Sequence, residues 1–275
     1  MSRDTISRIT DRVLEEMAAW QSRPLDEVYP VIFIDAIQVK IRDGQVANRP
    51  VYTVVGVTVD GMRDVLGLWV GDGGEGAKYW HQVLGEIRNR GVNDVLILVC
   101  DGLRGLVESV ADIWPLAIVQ TCVLHLVRNT FRYASKQHWY ELARDLRLVY
   151  TAATELAARE RFDEFANNWG ERYPAIIRLW QNAWAEFVPF LTYNLEIRRI
   201  LYSTNAIESL HARLRRSVRA RGHFPTEQAA MKCLYLAVRS LDPTGRGRQR
   251  SATRWKPALN AFAVTFEGRL ANAVN

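Results

Sequence analysis

Three acidic residues, Asp35, Asp101 and Glu208, stand where the sequence could do chemistry. Asp35 and Asp101 each follow an apolar run, Val31-Ile32-Phe33-Ile34 and Val95-Leu96-Ile97-Leu98-Val99-Cys100, and Glu208 heads a helix rich in arginine. Apolar runs of this length suit strands buried on both faces of a sheet. In open α/β sheets the ligand crevice lies outside the carboxyl ends of such strands. Three carboxylates gathered there would repel one another unless cations lay among them. Mg²⁺ prefers oxygen ligands, with Mn²⁺ as a substitute. Two such ions, about 3.5–4 Å apart, support the in-line displacement of a phosphoryl group. Each acid also has a plain structural reading. Asp101 could open an Asp-Gly turn, Asp35 could end a strand beside an arginine, and Glu208 could close a capping box with Asn205.

The helix that carries Glu208 adds a second signal. Ile207, Leu210, Leu214 and Val218 make its apolar stripe, while His211, Arg215 and Arg219 fall on the side of Glu208. Arg216 and Arg221 complete a cationic row suited to DNA backbone phosphates. Charge is distributed accordingly. Residues 195–275 hold fifteen Lys/Arg against five Asp/Glu, whereas the remainder holds twenty-one against twenty-five. A basic last third implies a polyanionic partner, nucleic acid being the commonest.

The elements that must position these groups read as α/β. Residues 5–20 have helical periodicity, broken at Ser22-Arg23-Pro24. Strands are expected over 30–41, 50–59 and 64–70, an antiparallel meander with turns at Arg42-Asp43-Gly44 and Asp60-Gly61. A helix over about 76–90, a strand over 94–100, a short helix near 103–112 and a strand over 116–120 follow. That order implies a mixed sheet with helices on its faces. Residues 129–200 show no convincing strand and read as an all-helical insertion between a first part of the domain (25–128) and a second (201–275). Helices are expected at 205–220, 225–240 and about 256–271, with a basic loop over 241–248. The stretch 1–24, which carries the first helix, stands before the first part of the domain.

No apolar stretch approaches the roughly 18 residues of a membrane helix. Three cysteines, Cys100, Cys122 and Cys233, make no disulfide framework, which points to a reducing cytoplasmic compartment. Cys122 and His125 could present two metal ligands on one helical face. No second paired motif exists, so a structural or substrate-facing pair is the better reading. Gly71-Asp72-Gly73-Gly74-Glu75-Gly76 lacks the Gly-Lys-Ser/Thr ending of a phosphate loop and reads as a flexible loop near the site. Trp169, Trp180 and Trp184 fit core packing, with stacking on distorted DNA as the alternative.

Several segments resemble the Mutator-type transposases of bacterial insertion sequences, the IS256 family. They are Asp35-Ala36-Ile37, Cys100-Asp101-Gly102-Leu103-Arg104-Gly105, Ser203-Thr204-Asn205-Ala206-Ile207-Glu208-Ser209 and Arg221-Gly222-His223-Phe224-Pro225. Gly76-Ala77-Lys78-Tyr79-Trp80 and Cys122-Val123-Leu124-His125 belong to the same pattern, which spans roughly residues 2–241. The resemblance implies a DDE recombinase with an RNase H-like fold and a helical insertion before its third acid. Its acids would be Asp35, Asp101 and Glu208, with two Mg²⁺ ions, and its basic helix position would be Arg215. It implies DNA cleavage and strand transfer by a dimer or larger assembly on transposon ends and target. A longer N-terminal region that reads terminal inverted repeats is also implied, and Ser2–Ile9 resembles its tail. Two other functions fit the same residues: a non-catalytic regulator of a full-length transposase, and a stand-alone RNase H-like nuclease.

Overall fold

β-branched and aromatic residues, continuous over Val31–Ile34 and alternating with polar ones from Ile37 on, form β1 (Val28–Asp43), the long strand on which the sheet is built. Gly44, at φ +67°, turns the chain into β2 (Gln45–Val57), and Gly61, at φ +75°, turns it again into β3 (Met62–Val70). Both pairings are antiparallel. On the other side of β1, β4 (Asp94–Cys100) and then β5 (Ile118–Thr121) add in parallel. A three-residue strand, β6 (Arg248–Arg250), closes the far edge against β3. The order is β5-β4-β1-β2-β3-β6. Without β6 it is the three-two-one-four-five order of an RNase H-like sheet, in agreement with the mixed α/β expectation. The computed structural model describes residues 3–202, 205–242, 248–250 and 255–270.

Each face of the sheet has its own helical cover. β1 is buried on both sides, so its alternating side chains feed two cores. Tyr29, Ile32 and Ile34 pack with Trp80 and Leu84 of α2 (Ala77–Asn89) and with Leu106 and Val110 of α3 (Leu106–Ile113). Val31, Phe33, Ile37 and Val39 face the other way, toward every other helix. These are α1 (Arg3–Ser22), α4 (Val123–Thr130), α5 (Trp139–Tyr150), α6 (Glu155–Trp169), α7 (Pro174–Asn182), α8 (Trp184–Phe187), α9 (Pro189–Thr192), α10 (Leu195–Tyr202), α11 (Asn205–Arg219), α12 (Glu227–Arg239) and α13 (Trp255–Thr265). Asp35, in phase with its neighbours Phe33 and Ile37, points to this second face.

The stretch 130–200 is helical throughout apart from its connections, as its composition implies. Its apolar residues Leu142, Phe162, Phe165 and Trp180 join one continuous core with Phe33 and Val99 of the sheet. Trp180 is fully buried and donates its indole N–H to Thr130 of α4 at 2.9 Å. Trp184 is also buried, under the guanidinium of Arg159, and Trp169 donates to Asp145 at 3.0 Å. All three tryptophans therefore hold the insertion together. β6 was not expected from its sequence, Arg248-Gln249-Arg250. Most of the basic loop over 241–248 lies outside the described residues.

Two polar ties fix the start of the chain to the sheet. Buried Asp64 accepts from Arg23 at 2.6 Å and from the Tyr29 hydroxyl at 3.0 Å, so its charge is paired. The Gln21 amide donates to the Leu68 carbonyl at 3.2 Å and accepts from the Leu68 N–H at 3.4 Å. Among the described residues no helix is long and apolar enough to cross a membrane.

The loop after β4 depends on glycine. Gly105 has φ +76°, and a Cβ there would lie 2.3 Å from the backbone nitrogen of Ala77. Gly102 has φ +54° but open space around it. Gly102→Ala should therefore cost about 1 kcal/mol from backbone strain alone. Gly105→Ala adds the overlap and should cost roughly 2–4 kcal/mol, a ranking that denaturant unfolding of the two variants would check.

Candidate active site

β1 and β4 run side by side only as far as the pair Ile34 and Cys100. Beyond that pair β4 ends and β1 continues to Asp43, so the next residues, Asp35 and Asp101, come side by side at the fork. Asp101 is thus a strand-end acid. Asp35 is not: it lies mid-strand, where antiparallel pairing to Thr53 keeps β1 extended. The edge of β1 that β4 leaves open forms the floor of a cavity of about 490 Å³. Farther along that edge the backbone of Phe224 pairs with Lys40 and Arg42.

Both aspartates line the cavity, together with Gln38, His125, Asn129 and four arginines, Arg128, Arg132, Arg215 and Arg219. α4, the turn after it and α11 bring in the histidine, the asparagine and the arginines. Asp35 Oδ2 meets His211 Nδ1 at 3.1 Å and His125 Nε2 at 3.5 Å, and Asp35 Oδ1 accepts from the Ala36 N–H at 2.7 Å. Burial works to raise the Asp35 carboxyl, but the His211 hydrogen bond and the charges of His211 and His125 outweigh it. The carboxyl is held below the usual range. Asp101 goes the other way. Burial and the charge of Asp35 push its carboxyl up, despite His125, Arg132 and a 3.3 Å hydrogen bond from Asn129. Two adjacent carboxylates of opposite shift are a pair under like-charge stress.

Glu208 stands apart from this pair. Its Oε1 accepts from Arg128 Nη2 at 2.8 Å, and it does not line the cavity. It lies one helical turn from His211, which touches Asp35, so the third acid is near the others without joining them. Among the described residues no three His, Cys, Asp or Glu side chains are grouped to hold an ion. The donor chemistry nonetheless suits a divalent cation. Asp35 and Asp101 offer carboxylate oxygen, and the raised carboxyl of Asp101 marks a place where positive charge would relieve strain.

The basic row divides. Arg215 and Arg219 line the cavity, whereas Arg216 is exposed outside it and Arg221 donates to Cys233 Sγ beside α12. His211, expected at a DNA phosphate, is 1% exposed and bonded to Asp35, because the α11 face that carries it packs against β1. It is a support for the aspartate in this arrangement. The pair Cys122 and His125 also separates. Cys122 is buried in the core, its thiol raised to about 12 by burial, while His125 reaches Asp35. The loop 71–76 makes no open phosphate cradle, since the N–H groups of Gly73 and Gly74 already donate to Glu75 and Asp72. Sequence reasoning missed Arg128, Asn129 and Arg132. Their one signal was position, as the three polar residues that continue the helical face of His125 toward the insertion.

Comparison with known proteins identifies the family. The family described as transposase, Mutator family, matches residues 1–244. The chain belongs to the Mutator family of transposases. A probable transposase for an insertion sequence element of Corynebacterium diphtheriae is 47% identical over 99% of this chain and 84% of its own length. The transposase for insertion sequence element ISRM3 of Rhizobium meliloti is 44% identical over 99% of this chain and 68% of its own. That for IS905 of Lactococcus lactis is 27% identical over 84% and 58%. A Drosophila P element transposase strand transfer complex covers 98% of the chain at 9% identity and a TM-score of 0.33, too remote to bear on the site.

For this Mutator-family chain the two aspartates should affect stability in opposite senses. Asp35, with its lowered pKa, stabilises the native state above the unfolded carboxylate range, and that contribution is lost as pH falls through the folded value. Asp101, with its raised pKa, costs stability as pH rises from the unfolded to the folded value. Asp101→Asn should therefore raise the Tm of the metal-free protein at neutral pH, on the order of 2–4 °C for about 1 kcal/mol. Asp35→Asn should lower it. Thermal unfolding in the presence of a chelator measures both.

Proposed function

We propose that the protein is an insertion-sequence transposase that cleaves DNA strands and transfers them by divalent-metal-dependent phosphoryl transfer, acting as a dimer or larger assembly on DNA. The observation that carries this reading is the meeting of Asp35 and Asp101 at the fork of β1 and β4, in one cavity ringed by four arginines. Asp35, Asp101 and Glu208 would hold the metal, Glu208 after leaving Arg128. Bound there, two Mg²⁺ or Mn²⁺ ions would supply activation of the attacking oxygen and stabilisation of the leaving oxygen.

The protein's own groups do the rest. His211 and the Ala36 N–H fix the orientation of Asp35, and Asn129 fixes that of Asp101. Arg215 and Arg219, one turn apart on α11, would bind phosphates on either side of the one being cut. The described cavity lining contains no serine, tyrosine or cysteine. That supports water as the nucleophile for cleavage and a DNA 3′-hydroxyl for transfer, rather than a covalent protein–DNA intermediate.

Strand transfer of a pre-cleaved transposon end, in Mg²⁺ or Mn²⁺, tests the proposal. Asp35→Asn, Asp101→Asn and Glu208→Gln should each reduce it at least about 10³-fold with DNA binding retained. Undiminished transfer by any of the three would remove that residue from the machinery, and cleavage without transfer would favour a plain nuclease. Arg215→Gln and Arg219→Gln should each lower the slope of log affinity against log salt by about 1, because each removes one phosphate contact.

A further inference from the structure

One short helix, α4, addresses all three acids. His125 contacts Asp35, Asn129 bonds Asp101, and Arg128, one turn beyond His125, pairs with Glu208. Arg128 also lines the cavity, while Glu208 does not. The guanidinium thus stands between the third acid and the space where DNA phosphate would bind. Both partners are accessible: the side chains of Arg128 and Glu208 are 54% and 37% exposed. An exposed ion pair of this kind is weak and easily exchanged. Among the described residues, the charge that meets Glu208 there is that of Arg128. A phosphate in the cavity would meet Arg128 together with Arg132, Arg215 and Arg219. A phosphate held by the other three would therefore offer Arg128 a second anion in competition with Glu208.

From this we infer that Arg128 is a positioning residue that withholds Glu208 until DNA arrives. In the free protein it pairs with the glutamate. When a DNA phosphate enters the cavity, Arg128 turns to it, and Glu208 is released toward Asp35 and Asp101. Binding of DNA and completion of the carboxylate set are thereby linked, so a metal-loaded site capable of cleavage forms a few-fold more readily on substrate than before it. The inference rests on the metal-binding role proposed for the three acids.

Mn²⁺-induced thermal stabilisation of the DNA-free protein tests it without measuring activity. Arg128→Gln frees Glu208 and should lower the Mn²⁺ concentration for half-maximal stabilisation by about two- to five-fold, the range an exposed ion pair can supply. Glu208→Gln added to Arg128→Gln should abolish the gain. In wild type, a short duplex carrying a phosphate backbone but no transposon end should produce the same tightening, and in Arg128→Gln it should produce much less. Unchanged or weaker Mn²⁺ binding by Arg128→Gln, or a gain that survives loss of Glu208, would overturn the inference. Asp35→Asn and Asp101→Asn are the separate control. If they leave Mn²⁺ stabilisation unaltered, the metal site itself is wrong and the role of Arg128 falls with it. If they abolish it while Arg128→Gln changes nothing, the site stands and only the withholding is refuted.

Discussion

The structure turns on the forced proximity of two like charges. Parallel pairing brings Asp35 and Asp101 together where one strand stops and its neighbour goes on. Burial there makes two ionised carboxylates costly, and the raised pKa of Asp101 records that cost. Much of the surrounding fold answers it. α11 packs on β1 so that His211 reaches Asp35, and α4 leaves β5 so that His125 and Asn129 reach the pair. The insertion in turn braces α4, through Trp180 and Thr130. Removing any of these supports would leave the charges less well held without moving them apart, because the sheet itself sets their spacing.

The helical insertion is better understood as a buttress than as an appended module. Its aromatic residues share a core with the sheet face that carries Asp35, and Gln120 of β5 donates to the carbonyl of Phe187 within it. The insertion between the second and third acids therefore serves both to separate them in sequence and to stiffen the helix that contacts all three. The basic helix α11 follows directly from α10, the last helix of that buttress.

Much of this was legible in the residues. Period-two and continuous apolar runs gave the first five strands within a few residues, and helical periodicity gave α2, α11 and α12. What failed did so for physical reasons. β6 consists of Arg-Gln-Arg and exists by pairing with β3, a tertiary effect that local propensity cannot report. Asp35 looked like a strand end because an aspartate interrupts the apolar run, yet ladder bonds to β2 carry the strand past it. His211 looked like a surface cation because its spacing matched Arg215 and Arg219, but it sits where α11 packs on β1 and is buried, while those two arginines are exposed. The roles of Arg128 and Asn129 depend on where the insertion places α4, and no spacing rule contains that information.

The Gln21 side chain has a consequence of a different kind. Its primary amide presents a carbonyl oxygen and an N–H to the backbone of Leu68, the same two groups a neighbouring strand would offer. A peptide-like cap on β3, next to a β6 of only three residues, blunts an otherwise sticky border against a second chain. The first helix thus doubles as a guard against pairing of this sheet border with the strand of a second chain.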